Sequence, residues 1–227
     1  MQYGNRVLGQ PPLDSPRYPL YHLIGIISDM AKLLNWGNAG RLLRQTPLTL
    51  FSPQDLMHLS GASETSARFL LTRAVKRQDC LKLRRGLYAL PERLPSEMEV
   101  ANALYRPSYI SFKFALSYYE LIPESVYTIT SATPRTTAAF DVLGRHYAYH
   151  RLKRVAFSGY SPTPINGQTI WIAEPEKALV DSMYLAVLEH QDLPERLRLQ
   201  KLSKTKIRAY TKLFQHQALI EAIEKVL

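Results

Sequence analysis

The sequence has 227 residues, 29 Lys and Arg against 19 Asp and Glu, and 46% apolar side chains, which suits one large or two small globular domains and argues against overall disorder. Its single cysteine, Cys80, excludes an internal disulfide framework and an all-cysteine metal site. No apolar run approaches the roughly 20 residues that cross a bilayer, and the opening MQYGNRVLGQPP lacks the apolar core of a secretory signal. The chain therefore reads as a soluble, cytoplasmic protein without a membrane partner.

The net charge of +10 is uneven. Residues 1–93 carry 13 basic and 6 acidic side chains, a net of +7, whereas residues 94–227 carry 16 and 13, a net of +3. A strongly basic segment beside a nearly balanced one suits a polyanion-binding module joined to a second domain, although a basic chain can also be no more than well solvated. Pro11, Pro12 and Pro16 predict a loose arm over residues 1–17. The two prolines of Pro91-Glu92-Arg93-Leu94-Pro95 interrupt regular hydrogen bonding and place a linker there. The expected division is an arm at 1–17, a first domain at 18–93 and a second at 97–227.

In chain order, apolar residues at 20, 23, 24, 27, 31 and 34 predict a helix that stops at Gly37, and Ala39 to Gln45 predicts a short second one ended by Pro47. Leu48 to Phe51 reads as a short strand. Ser52 caps a helix with Pro53 at its first position, and Gly61 ends it. Ser63 opens the next helix, where Ala67, Leu70, Leu71 and Ala74 form an i, i+3, i+4, i+7 stripe. Two helices joined by a short glycine-containing turn are the helix-turn-helix arrangement. Cys80 to Leu83 and Leu87 to Leu90 then read as strands around Arg84-Arg85-Gly86, a tight hairpin with glycine where φ is positive. Helix, strand, helix, helix, hairpin is the order of a winged helix.

The face opposite the apolar stripe carries Thr65, Phe69, Thr72 and Lys76, flanked by Arg68 and Arg73. Residues 68–85 hold seven basic side chains and one acid, Asp79. A helix in the major groove needs short polar or forked side chains at the base edges and cations at the phosphates. The candidate DNA-binding residues are therefore Thr65, Arg68 and Thr72 toward the bases, with Arg73, Lys76, Lys82, Arg84 and Arg85 toward the backbone. The competing reading is a solvated basic helix in a winged helix used for protein contacts. Phe69 can touch a thymine methyl, but packing against the preceding helix is its expected role.

The second half reads as α+β. Glu97 to Tyr105 predicts a short helix. Val126 to Thr130, Tyr147 to His150 and Thr169 to Ile172 predict strands. Pro175 to beyond Leu188 predicts a helix apolar on most sides. The tail from Pro194 mixes helical apolar spacing with seven basic residues between Arg196 and Lys212, a solvated face or an extension of a DNA track.

Four strings carry a family resemblance: KLRRGLYALP (82–91), YISFKFALSYYELIPE (109–124), TSATPRTT (130–137) and IAEPEKALVD (172–181). In this order they resemble the AbiEi family, the antitoxins and transcriptional regulators of abortive-infection, or type IV toxin–antitoxin, systems. The resemblance runs from about Leu48 to about Leu188. The sequence departs from the family pattern at Glu120 and at Asp141-Val142. The resemblance implies an N-terminal winged helix-turn-helix that binds inverted repeats in its own promoter and represses it, followed by a C-terminal α+β antitoxin domain. It also implies a functional partner, a nucleotidyltransferase-like toxin countered without a stable complex.

Nothing in the sequence asks for an enzyme, a metal or a cofactor. His146 and His150 are four apart on an expected strand, without the glutamate of a zinc-protease helix. Glu174, Glu176 and Asp181 form the densest acidic cluster, which suits a helix amino terminus and an i, i+4 pair of Lys177 with Asp181. Cys80, on an expected strand, suits packing better than nucleophilic attack. Three other readings stay open: a module that neutralises its partner by direct binding, a DNA-binding regulator without a toxin partner, and an enzyme acting on nucleic acid.

Overall fold

The computed structural model describes residues 35–190 and 196–227. The expected arm and the helix from Leu20 lie outside the described residues. The fold is α+β, with eight α-helices and two β-sheets among the described residues. The chain divides into two compact units, one taking Pro53–Arg73 and the described residues up to Pro47, the other Leu48–Ser52 and Ala74–Leu227.

The smaller unit holds α1 (Trp36–Gln45), α2 (Pro53–Ser60) and most of α3 (Glu64–Lys76). The side chain of Asn35 accepts the amide of Asn38 at 2.9 Å and so opens α1. Gly37 therefore lies in the first turn of a helix rather than stopping one, which corrects the sequence expectation. Pro53 occupies the first position of α2, where its missing N–H costs nothing. Gly61 adopts φ +65°, which lets the chain leave α2. The hydroxyl of Ser63 accepts the amide of Ser66 at 3.2 Å at the start of α3. The stripe of Ala67, Leu70, Leu71 and Ala74 is buried, as are Leu43 of α1 and Leu56 of α2.

In the larger unit, β1 (Leu50–Phe51), β2 (Leu81–Arg84) and β3 (Leu87–Ala89) form an antiparallel sheet in the order β1-β3-β2. The β2–β3 turn is Arg85-Gly86, with Gly86 at φ +80°. Leu83 and Leu87 of this hairpin pack against the main core.

That core is built on a six-stranded sheet of β4 (Tyr109–Ile110), β5 (Ile129–Thr133), β6 (Ala138–Val142), β7 (Arg145–Arg151), β8 (Tyr160–Ile165) and β9 (Gln168–Ala173). The order is β6-β7-β5-β4-β9-β8. The pairs β5/β7 and β4/β9 are parallel and the other pairs antiparallel. Helices α4 (Glu97–Leu104), α5 (Phe112–Tyr118), α6 (Pro175–Leu188), α7 (Lys204–Phe214) and α8 (Gln217–Val226) complete it. Ser96 and Glu99 form a reciprocal capping box that starts α4. Helix α6 packs on α5, α7 and α8, which explains a sequence apolar on most sides.

Three sequence expectations shift here. The strand expected at 126–130 begins at Ile129, paired with Tyr147, and Tyr127 outside it is 76% exposed. Strand β6 was not anticipated. Nor was β8, because Pro162 and Pro164 interrupt its pattern. Among the described residues only β9 pairs with β8, and two prolines at alternate positions both turn their missing donors to the edge left open there.

Candidate functional site

On α3, burial of 67, 70, 71 and 74 dictates what the opposite face presents. Thr65, Arg68, Thr72, Arg73 and Lys76 are all exposed there. The face is not a uniform field of free cations. Arg68 donates from Nε to Glu64 Oε1 at 2.8 Å across one helical turn. Thr72 donates its hydroxyl proton back to the carbonyl of Arg68 at 2.9 Å, so that hydroxyl can accept from a ligand but has no proton left to give. Phe69 is 66% exposed in the middle of this face, which corrects the expectation that it packs on α2.

On the hairpin, Lys82 and Arg85 are exposed. Arg84 is not directed outward with them. Its Nη1 donates to the carbonyl of Leu104 at the end of α4, and its guanidinium lies 5.0 Å from the Phe140 ring centroid and 5.7 Å from that of Tyr105. A cation held by a carbonyl and two aromatic faces anchors the hairpin to the α+β core. Arg84→Ala is expected to lower stability by about 1–2 kcal/mol, a charge-assisted hydrogen bond discounted for partial exposure. Arg85→Ala should stay within about 0.5 kcal/mol of wild type. Urea unfolding of the two variants checks the contrast.

The acidic cluster of α6 separates into three structural contacts. Lys206 donates to Glu174 at 2.9 Å and holds its carboxyl below the usual range. Glu176 accepts the amide of Ser203 at 3.1 Å. Asp181 pairs with Lys177, and both side chains are 0% exposed. The carboxylate also accepts from Ser111 Oγ at 2.7 Å and from the Tyr109 hydroxyl at 3.0 Å. Lys177 Nζ lies 4.9 Å from the Phe214 ring centroid. Burial, then the charge of Asp181, pushes the Tyr109 phenol far above its ordinary value, so it remains a donor. Tyr109 and Ser111 had no signal in the sequence as partners of Asp181, because nothing local links β4 to the middle of α6.

The histidines do not converge. His146 is hydrogen-bonded to Asp141 at 2.8 Å, while His150 stands edge-on to Phe112 and burial lowers its pKa. Burial pushes the Cys80 thiol up to about 12, which keeps it protonated and suits packing. Among the described residues no group of three or more His, Cys, Asp or Glu is placed to hold a metal ion. No described helix is long and apolar enough to cross a membrane.

Part of the basic tail is matched internally. Besides the Lys206–Glu174 pair, Arg208 makes a two-pronged contact with Glu224, both bonds 2.8 Å, and Lys204 donates to the Leu227 carbonyl. These cations tie α7 to α6 and α8. No family model matches the chain, and no curated protein does.

Proposed function

We propose that the protein is a sequence-specific DNA-binding regulator whose N-terminal part is a winged helix, with α3 as the helix that enters the major groove and the β2–β3 hairpin as the wing. One observation carries the reading: α3 buries an apolar stripe and turns Thr65, Arg68, Thr72, Arg73 and Lys76 together to solvent. Side chains able to reach base edges thus share one face with cations able to reach phosphates. The element order α1, β1, α2, α3, β2, β3 agrees with a winged helix.

The second part is proposed to act as the antitoxin of an AbiEi-like system, with the regulator repressing its own promoter and countering a nucleotidyltransferase-like toxin in the cytoplasm. Support comes from where two of the resembling strings fall. The string from 109 supplies Tyr109 and Ser111, and the string from 172 supplies Lys177 and Asp181, so the two meet in one buried network. A shared pattern at those positions would preserve the frame of this domain.

The test is fluorescence anisotropy of the pure protein against the duplex upstream of its own gene and a scrambled duplex, across a salt series. The expected result is a preference for the native duplex of about a thousandfold. Equal affinity for both duplexes would leave only a basic surface. Rescue of growth by this chain when the toxin is co-expressed tests the antitoxin half.

A further inference from the structure

We propose that Phe69 reads thymine, its ring packing on a thymine C5-methyl group in the major groove. The inference rests on the DNA-binding reading above and assigns a specificity-determining contact within it. Thr65, Phe69, Thr72 and Lys76 stand at i, i+4, i+7 and i+11 and form one row along α3. By angle around the helix, Phe69 lies central, with Arg73 to one side and Arg68 to the other. From Thr65 to Thr72 the row is about 10 Å long at 1.5 Å per residue, roughly three base-pair steps.

At its centre this row offers a ligand carbon. The ring of Phe69 is 66% exposed, and the hydroxyl proton of Thr72 is committed to the Arg68 carbonyl. On the row's flanks, Arg68 is hydrogen-bonded to Glu64 across one helical turn, whereas Arg73 is exposed. A duplex major groove offers a single apolar group to such a surface, the methyl of thymine, and phenylalanine is among the side chains that pack on it. The exposed Arg73 and Lys76 beside the ring give charge complementarity to phosphate. An isolated exposed apolar side chain needs no explanation by itself. Here the ring occupies the centre of the face whose other members are polar or cationic.

The test uses the full chain and a library of duplexes with a randomised centre. Wild type and Phe69→Ala are each taken through selection, and the duplex selected by wild type is then remade with deoxyuridine at one thymine at a time, which removes only the methyl group. For wild type, deoxyuridine at one or two positions is expected to weaken binding about three- to fivefold, the worth of one buried methyl. For Phe69→Ala the same replacement should cost nothing, and thymine should lose its preference at those positions in the selected pool. Because the ring is exposed, the variant should unfold at the same urea concentration as wild type, so a folding defect is distinguishable. Equal deoxyuridine cost in both proteins, or an unchanged thymine preference in Phe69→Ala, overturns this inference alone. Selection of no sequence by wild type overturns the DNA-binding reading and this inference with it.

Discussion

Lys177→Met is expected to destabilise the protein by about 3–5 kcal/mol, the cost of leaving one member of a buried ion pair without its partner. Lys177 and Asp181 are both fully buried, and in the variant the carboxylate would keep only Tyr109 and Ser111 as donors. Combining Lys177→Met with Asp181→Leu should recover part of the loss, because no charge then remains in the core. Recovery should be incomplete, since the Tyr109 and Ser111 hydroxyls lose their acceptor, at about 1–3 kcal/mol for each left unsatisfied. Unfolding midpoints in urea measure all three proteins.

The single variant also carries a pH signature. Burial raises the pKa of Asp181, and Lys177 is the largest influence pulling it back down. Removing Lys177 lets the carboxyl rise further above its unfolded value. A carboxyl raised in the folded state takes up a proton on folding, so its penalty is full at high pH and relieved as pH falls through the folded pKa. The deficit of Lys177→Met relative to wild type should therefore be larger at pH 8 than at pH 5. A deficit independent of pH would indicate lost packing rather than a stranded charge.

The same pair shows what a sequence can and cannot disclose. The i, i+4 spacing of Lys177 and Asp181 is legible, and the pairing is found. That it is buried, and that Asp181 also holds Tyr109 and Ser111, depends on β4 lying beside β9, which no local pattern encodes. Helix α3 and the β2–β3 hairpin are legible because a helical stripe and a glycine at positive φ are local signals. The direction of Arg84 is not, since its acceptor is the Leu104 carbonyl and its aromatic partner Phe140 lies on a strand the pattern does not announce. Strand β8 hides for a related reason. Proline is read as a breaker, and only its edge position makes Pro162 and Pro164 compatible with pairing. For Phe69 the local pattern places the residue on the outer face correctly, and the error lies in supposing that an aromatic ring must find a core.

The triple variant Arg73→Ala, Lys76→Ala, Arg85→Ala is expected to flatten the salt dependence of DNA binding most strongly. Each lost phosphate contact removes about 0.9 from the slope of log affinity against log salt, so three remove about 2.7. Between 50 and 200 mM salt, wild type should then lose roughly 40-fold more affinity than the variant does. Arg84→Ala should leave the slope unchanged, because that guanidinium is held by Leu104, Tyr105 and Phe140. Arg68→Ala should act differently again: as a base-reading side chain it should cost about 1–3 kcal/mol on the preferred duplex and little on a scrambled one. The three behaviours separate phosphate contacts, an internal anchor and base readout by a single titration format. A triple variant with the wild-type slope would remove the α3 face and the hairpin turn from the proposed interface. A flattened slope in Arg84→Ala would mean that the guanidinium leaves its aromatic site when DNA binds.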